Sequence, residues 1–401
     1  MPDMPLSSEQ DLTTEAARAG IADGPDPAVN ELLETIRLVD HHTHSIVGGD
    51  VSATSYRFML SESDRPAATE LAGLDTQVGF AIRRWCAPLL GMPASLPAPA
   101  FLERRLGLSN RAAAALLLPA AGFERMVVET GYRGQELVTV DELGRLSQSP
   151  VSTVVRLETV AEQIALVGPS AAGFADAFRH ALDEAFAAGA VGTKSIVAYR
   201  FGLDFDPVRP SEREVADRAG EWLREVADSG RARLTDPVLL RFVLWAGADT
   251  RRPLQVHTGY GDPDLHLQRA DPLLMTDFLR ATEDRCSVLL LHTYPFHRHA
   301  GYLAQVFPHV YLDVGLAINF VGAQAPQVIA ESIELAPVGK LLFSSDAWGL
   351  PELHLLGSWL FRRGMARVVG SWVARGDWSL ADADLVIRSV ASENARRVYG
   401  F

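Results

Sequence analysis

Apolar and polar positions alternate in a regular way from about residue 124 to the end of the chain. Short runs rich in apolar and β-branched residues, typical of buried strands, are followed by segments with the three-to-four-residue spacing of helices. With an earlier run at 37–42, the predicted strands are 37–42, 126–130, 151–157, 192–199, 254–258, 288–292, 310–314 and 341–346. Most are followed by a helix, which requires parallel strands with crossover helices.

Eight such units predict an α/β fold of the (β/α)8 TIM-barrel type. A doubly wound open sheet is the alternative. No glycine-rich dinucleotide loop or phosphate loop follows any of the predicted strands, which disfavours the nucleotide-binding version of that alternative.

Two stretches fall outside the alternation. Residues 1–27 mix Pro, Asp, Glu, Ser and Gly without periodicity, and we interpret them as a flexible or loosely docked N-terminal arm. Residues 45–123 show helical spacing but no convincing strand, and they are too long for a simple connection. We predict a helical insertion after strand 1 that caps the site, within a barrel domain spanning 28–401.

Composition narrows the class of partner. The 401 residues are 48% hydrophobic and 22% charged, with a net charge of -13 and no basic block. This balance predicts a small-molecule substrate, disfavours nucleic acid and membrane surfaces, and leaves a homo-oligomer open. Two cysteines and an N-terminus without an apolar core indicate a cytoplasmic protein without a disulfide framework.

Residues that commonly bind metals collect where the predicted strands end. His42 and His44 are two positions apart, so they point to the same side of strand 1. His257, His292 and Asp346 end strands 5, 6 and 8. Each has an ordinary explanation, such as a hydrogen-bonded histidine or an N-cap aspartate. However, the carboxyl ends of barrel strands converge on one mouth, so the whole set predicts a divalent-metal site there.

Strand 4 carries Lys194, one of only two lysines among 37 basic residues. Four further residues are candidates for substrate binding. Arg200 could clamp a carboxylate or form a structural salt bridge. Tyr199 lies beside it, Trp348 could line the pocket, and Glu158 could point inward at the end of strand 3.

These segments resemble the amidohydrolase superfamily. The matching pieces are VDHHTH (39–44), GTKSI (192–196), QVHT (255–258), LLHT (290–293), FSSD (343–346) and SENARR (392–397). Within the superfamily, KSIVAYR (194–200) and SDAWGLPE (345–352) resemble the branch that includes the amidohydrolase-like domains of nodulin- and FluG-type proteins. The resemblance covers most of the chain from about 36 onward and implies the TIM barrel.

The resemblance also implies a ligand set. His42, His44 and Asp346 would bind one divalent metal, and His257 and His292 would bind a second. Zinc is the first choice, with manganese or iron as alternatives. Lys194 would bridge the two ions as a carbamate, because a carbamylated lysine is anionic whereas an ammonium repels metals.

Alternatives to this ligand set remain open. Lys194 could stay cationic and bind a substrate carboxylate or pair with Asp346. Other branches of the superfamily use a single ion, held by the strand-1 histidine pair, His257 and Asp346. In those branches the strand-6 residue, here His292, acts on substrate or water.

The implied activity is metal-dependent hydrolysis of a carbon–nitrogen bond in a small amino-acid-like or carboxylate substrate. Asp346 would take the proton of the attacking water, and His292 is a second candidate catalytic residue. The alternative is a decarboxylase or other lyase with one metal on the same scaffold. A barrel kept only for binding or assembly is disfavoured by the full ligand set.

Overall fold

The computed structural model describes residues 20–65 and 69–401. Within them, seven parallel strands pair in chain order. They are β1 (Leu38–Thr43), β2 (Phe123–Glu129), β3 (Val151–Arg156), β4 (Gly192–Ser195), β5 (Leu254–His257), β6 (Val288–Leu291) and β7 (Val310–Leu312). Every residue of β1, β4, β5 and β6 is buried, as expected for a parallel sheet covered on both faces.

The eighth predicted strand, 341–346, closes the barrel without forming a regular strand. The amide of Leu342 donates to a β7 carbonyl at 3.0 Å, and the Phe343 carbonyl accepts from His41 of β1 at 3.1 Å. The segment therefore lies between β7 and β1. The prediction of a regular strand there was wrong: the Ser345 amide donates to the Asp40 carboxylate at 2.9 Å and not to a backbone carbonyl, and Asp346 has a φ of +46°.

Helices connect the strands and surround them. The α-helices of the barrel and its termini are Pro27–Thr35, Val140–Ser147, Leu157–Val167, Phe174–Ala187, Val197–Arg200, Glu212–Ser229, Pro237–Asp249, Thr276–Ala281, His297–Val306, Gly315–Val321, Ala325–Ile333, Pro351–Arg375, Leu380–Arg388 and Asn394–Tyr399. The predicted strand 192–199 was too long, because Val197–Arg200 forms a helical turn. The Ile196 amide donates to the Glu158 carboxylate at 3.0 Å and so does not extend the ladder.

The insertion between β1 and β2 is helical. Its helices are Ala53–Phe58, Gln77–Ala81, continued by the π-turn Ile82–Cys86 and by Ala87–Leu89, then Ala98–Leu106 and Asn110–Ala121. A buried ion pair joins the insertion to the barrel: the Arg105 guanidinium contacts the Glu352 carboxylate, and both side chains are fully buried. Asn110 adds a hydrogen bond to the Gly349 carbonyl at 2.9 Å.

The described part of the predicted N-terminal arm is docked. Ile21 and Ala22 are buried. The Asp23 carboxylate pairs with Arg363 at 2.6 Å and Arg367 at 2.9 Å, both on the helix Pro351–Arg375. Residues 1–19 of that arm lie outside the described residues.

Candidate metal centre

A pocket of about 330 Å³ opens at the carboxyl ends of the strands. His44, Lys194, His257, His292 and Asp346 all line it. His42, the sixth predicted ligand, is fully buried. Its Nε2 lies 3.2 Å from the Lys194 Nζ, so His42 belongs to the same cluster. The barrel thus brings together all six residues that the sequence analysis selected.

Asp346 is the hub of this cluster. Its Oδ1 lies 3.1 Å from His42 Nε2 and 3.7 Å from His44 Nε2, and its Oδ2 lies 3.7 Å from His292 Nε2. The ligand atoms of His42, His292 and Asp346 all lie within 4.8 Å of one another. In the ligand set that the resemblance implied, His42 and Asp346 bind the first metal and His292 binds the second, so this compact group combines ligands of both.

Three histidines of the cluster share the same orientation. Their Nδ1 atoms meet acceptor oxygens: His42 with Gln255 Oε1 (2.8 Å), His44 with the Glu129 carbonyl (3.2 Å) and His292 with the Thr258 carbonyl (2.9 Å). Because these oxygens only accept, Nδ1 carries the proton and Nε2 keeps the lone pair that binds a metal. The donor set therefore fits a divalent ion.

His257 adds a ring nitrogen that is available to bind a ligand. Its Nε2 is buried and has no hydrogen-bond partner among residues 20–65 and 69–401. The ring packs against Tyr199 at 4.3 Å and His292 at 4.2 Å between centroids, which fixes its orientation. An unsatisfied buried nitrogen is costly, so a ligand or a metal is expected to satisfy it.

The electrostatics favour the protonation states that bind metals. Burial lowers the pKa of His42 to about 3 and the pKa of Lys194 to about 8. Burial alone would raise the pKa of Asp346, but its electrostatic interactions with His292, His42 and His44 hold it well below its usual range. At neutral pH the imidazole is neutral and the carboxylate is ionised.

Two of the site residues have an unusual backbone. His292 has φ +39° and Asp346 has φ +46°, in the left-handed region that non-glycine residues rarely adopt. The Asp313 carboxylate supports this arrangement, because it accepts from the His292 amide at 2.9 Å and the Ser344 hydroxyl at 2.7 Å. Such strain is common where a fold must aim a functional side chain.

The predicted substrate-binding residues have different positions. Tyr199, Arg200 and Trp348 line the pocket. The Arg200 guanidinium lies 3.0 Å from the Glu162 carboxylate, so its charge is already matched by a structural salt bridge.

Glu158 does not line the pocket, which contradicts its predicted role. It lies in the first turn of the helix Leu157–Val167 and is fully buried. Its carboxylate accepts from the Ser195 hydroxyl at 2.6 Å and from the Ile196 amide. Glu158 therefore anchors the end of β4, the strand that carries Lys194.

Sequence reasoning missed several pocket residues. The insertion contributes Phe58, Glu62 and Asp64, and the loop after β5 contributes Asp262. The sequence analysis also missed Gln255, whose side-chain oxygen orients His42 of β1. The two-residue spacing between Gln255 and His257 in β5 was a usable signal, since it places both on one face.

Comparison with known proteins agrees with this geometry. The family model described as Amidohydrolase (Amidohydro_2) matches residues 153–401. The chain belongs to the amidohydrolase family. The resemblance seen in the sequence and the predicted TIM barrel with a helical insertion are both confirmed.

Individual relatives cover the chain to different extents. Protein fluG of Emericella nidulans is 33% identical over 219 residues, which are 52% of this chain and 25% of fluG. The chain thus spans about a quarter of that relative's length. A Lactobacillus casei structure described as a metal-dependent hydrolase is 29% identical, with a TM-score of 0.81, covering 94% of this chain and 98% of that one.

A more distant structure shares the fold alone. The uronate isomerase of Thermotoga maritima is 14% identical with a TM-score of 0.60, covering 99% of this chain and 100% of that one. In the described part of the chain, no helix is both long and apolar enough to cross a membrane.

Proposed function

We propose that this amidohydrolase is a metal-dependent hydrolase that cleaves an amide-type carbon–nitrogen bond of a small amino-acid-like or carboxylate substrate. The observation that carries the proposal is Asp346, a carboxylate contacted by three histidines in a pocket at the strand ends. The likeness to the metal-dependent hydrolase of Lactobacillus casei supports it. The free, buried Cys86 and Cys286 also fit the cytoplasmic location that we propose.

The residues that would hold the metal are those that face Asp346. His42, His44 and His292 present Nε2 lone pairs, and the buried Nε2 of His257 has no hydrogen-bond partner within the described residues. We propose zinc, in one or two copies, with manganese or iron as alternatives. A bound divalent ion lowers the pKa of water and polarises a carbonyl.

Asp346 supplies the proton transfer in this proposal. The carboxylate is ionised at neutral pH and lies among the three histidines, so it would be placed to accept a proton from the attacking water. The same carboxyl group then delivers the proton to the leaving nitrogen. Since two histidines approach one carboxylate oxygen and a third approaches the other, the group has little freedom to rotate.

Lys194 supplies the bridging anion in this proposal. Burial lowers its pKa to about 8, so a larger share of neutral amine is present than for an exposed lysine. The neutral nitrogen would attack carbon dioxide and form an N–C bond as one C–O π bond gives its electron pair to oxygen, and the nitrogen would then lose a proton to water to give the carbamate. The 3.2 Å approach of Nζ to His42 Nε2 places it beside the ligand cluster.

A second candidate is a lyase that uses one metal, such as a decarboxylase. The observation that favours it is the compact group of His42, His292 and Asp346, whose ligand atoms suit a single ion. In that case Lys194 would remain an ammonium beside the substrate.

The test measures metal content and the reaction separately. Protein purified without chelators should contain at least one divalent ion per chain, and removal of the ion should abolish hydrolysis of a panel of N-acyl amino acids. Metal content below about 0.2 per chain, with no activation by zinc or manganese, contradicts the proposal. Release of carbon dioxide without amide cleavage supports the lyase instead.

A further inference from the structure

The positive charges on the pocket wall are already matched. Three arginines line the pocket besides Lys194 at the metal centre. Each has a carboxylate partner: Arg156 contacts Glu129, Arg200 lies 3.0 Å from Glu162, and Arg233 lies 2.9 Å from Asp264. A substrate carboxylate would therefore have to compete with an existing ion pair at each of these arginines.

The negative charges on the same wall are matched only in part. Asp264 pairs with Arg233, and Asp64 pairs with Arg65 at 3.1 Å. Glu62 and Asp262 also line the pocket, and among the described residues neither forms an ion pair. Apart from Asp346, these two are the carboxyl groups of the pocket wall that have no ion-pair partner among the described residues.

Glu62 faces the interior of the pocket. Burial raises the pKa of its carboxyl to about 8, and the nearby charges of Asp346 and Asp262 act in the same direction. Its own charge contributes, after burial, to raising the pKa values of Tyr199 and Tyr260. Tyr199 and Asp346 line the same pocket, so the Glu62 carboxyl lies on the wall between the insertion and the metal centre.

A separate feature indicates that this pocket takes a metal or a polar ligand. His257 is only 5% exposed and lines the pocket, and within the described part of the chain its Nε2 has no partner. The loop after His257 carries Asp262, and Gly261 in that loop lies against the Tyr199 hydroxyl, where a Cβ would come within 1.9 Å. The close packing at Gly261 holds this loop against the pocket, which Asp262 lines.

We propose that Glu62 and Asp262 bind a cationic nitrogen of the substrate, such as a primary ammonium, while the scissile bond lies over Asp346. This inference rests on the proposed function, because it takes the bound cation to be part of the hydrolase's substrate. It narrows the amino-acid-like substrates to those with a basic nitrogen away from the reacting bond. A carboxylate without a cationic partner is costly to bury, and a bound cation offsets that cost and favours the ionised form of Glu62.

The test uses two probes that differ mainly in charge and contain no bond to hydrolyse. These are n-pentylammonium, which stays protonated near pH 7 as lysine does with a pKa of about 10.4, and 1-pentanol. Calorimetry on the protein as purified, with its metal content measured, should show the ammonium binding at least about tenfold tighter than the alcohol. Glu62→Gln and Asp262→Asn should each reduce this preference at least about threefold, and the double variant should bring it close to one.

Glu103→Gln is the matched control. It also removes one negative charge from the insertion, but from an exposed residue outside the pocket. Its preference for the ammonium should stay within about twofold of the parent. Equal affinities in the parent protein, no ammonium binding at all, or an unchanged preference in the double variant would each overturn the proposal.

The outcome is independent of the proposed reaction. Selective ammonium binding that depends on Glu62, without any amide hydrolysis, leaves the cation subsite standing and contradicts the hydrolase. Metal-dependent hydrolysis without ammonium selectivity supports the hydrolase and contradicts the cation subsite.

Discussion

The ends of the barrel strands and the helical insertion meet at the same pocket, but they hold their side chains in different ways. On the barrel side, His42 is fixed by Gln255, and Gln255 is itself held by the Tyr399 hydroxyl at 2.7 Å. On the insertion side, Glu62 has neither hydrogen bond nor ion pair within the described residues. The barrel preorganises the reacting groups, whereas the insertion presents groups whose partner must come from a ligand.

The two regions are joined by a buried contact and not by a flexible hinge. Arg105 of the insertion pairs with Glu352, in the first turn of the helix that follows Asp346 by a few residues. The Tyr56 hydroxyl donates to the same carboxylate at 3.2 Å. The insertion therefore belongs to the structure that supports the site as well as to its outer wall.

The largest expected effect lies on the barrel side. Asp346→Asn keeps the size of the side chain but removes the proton acceptor and an anionic ligand, so turnover should fall by about 10⁴-fold while the fold remains. Turnover should be measured at matched metal content, with Asp277→Asn on the exposed surface as the control. Activity within about tenfold of the parent would show that Asp346 is not the base.

The junction between the regions should show the next largest effect. Arg105→Met leaves the buried Glu352 without its cation and should lower the free energy of unfolding by about 3–5 kcal/mol. The control is Arg396→Met, which breaks the more exposed pair with Glu124 and should cost less than about 1 kcal/mol. Denaturant titration measures both, and equal losses would refute the structural role of the buried pair.

A variant of Lys194 tests whether metal binding at the barrel strand ends depends on an anionic ligand at this position. Lys194→Ala should lose bound metal and about a hundredfold in activity, and propionate should restore part of both by occupying the vacated position. Lys340→Ala, which alters the other lysine of the chain, should leave both unchanged. Rescue by a primary amine but not by propionate would favour a cationic lysine and the lyase.

The smallest expected effect concerns a buried group beneath the metal centre. Burial alone would raise the pKa of Asp313, but the hydrogen bond from His41 and the charges of His41 and His292 hold it at about 2. The unfolded value is near 3.9, so the ionised form stabilises the fold above about pH 4, and this contribution disappears as the pH falls through 2. The free energy of unfolding of Asp313→Asn should be lower than that of the parent by about 2 kcal/mol at pH 6. The gap should narrow between pH 4 and 2, and a constant gap would contradict this origin.

Much of the barrel side could be predicted from the sequence. The strands were visible as apolar runs, and the TIM barrel brings their carboxyl ends to one mouth, so residues as distant as His42 and Asp346 could be placed together. The structure supports this placement, whereas their roles as metal ligands stay predictions. The eighth strand was overpredicted because its apolar run gives no sign of the left-handed turn at Asp346.

The insertion side was much less accessible to the same reasoning. Its helices were predicted, but helical spacing does not indicate which polar residue enters a pocket formed by distant segments. Glu62 therefore went unnoticed, although it lines the pocket. For Glu158 the prediction failed in the opposite direction. Its position at a strand end suggested that it lines the pocket, but its carboxylate accepts from the Ser195 hydroxyl and the Ile196 amide.

The sequence by itself determined the order of strands and helices and the residue types at the strand ends, because both depend on near neighbours and on one rule of barrel topology. Only the tertiary structure decided which charges are matched. The Arg200–Glu162 and Arg105–Glu352 pairs join residues that are 38 and 247 positions apart. Whether a charge is free to bind a ligand depends on such contacts, because a paired and an unpaired carboxylate look the same in the sequence.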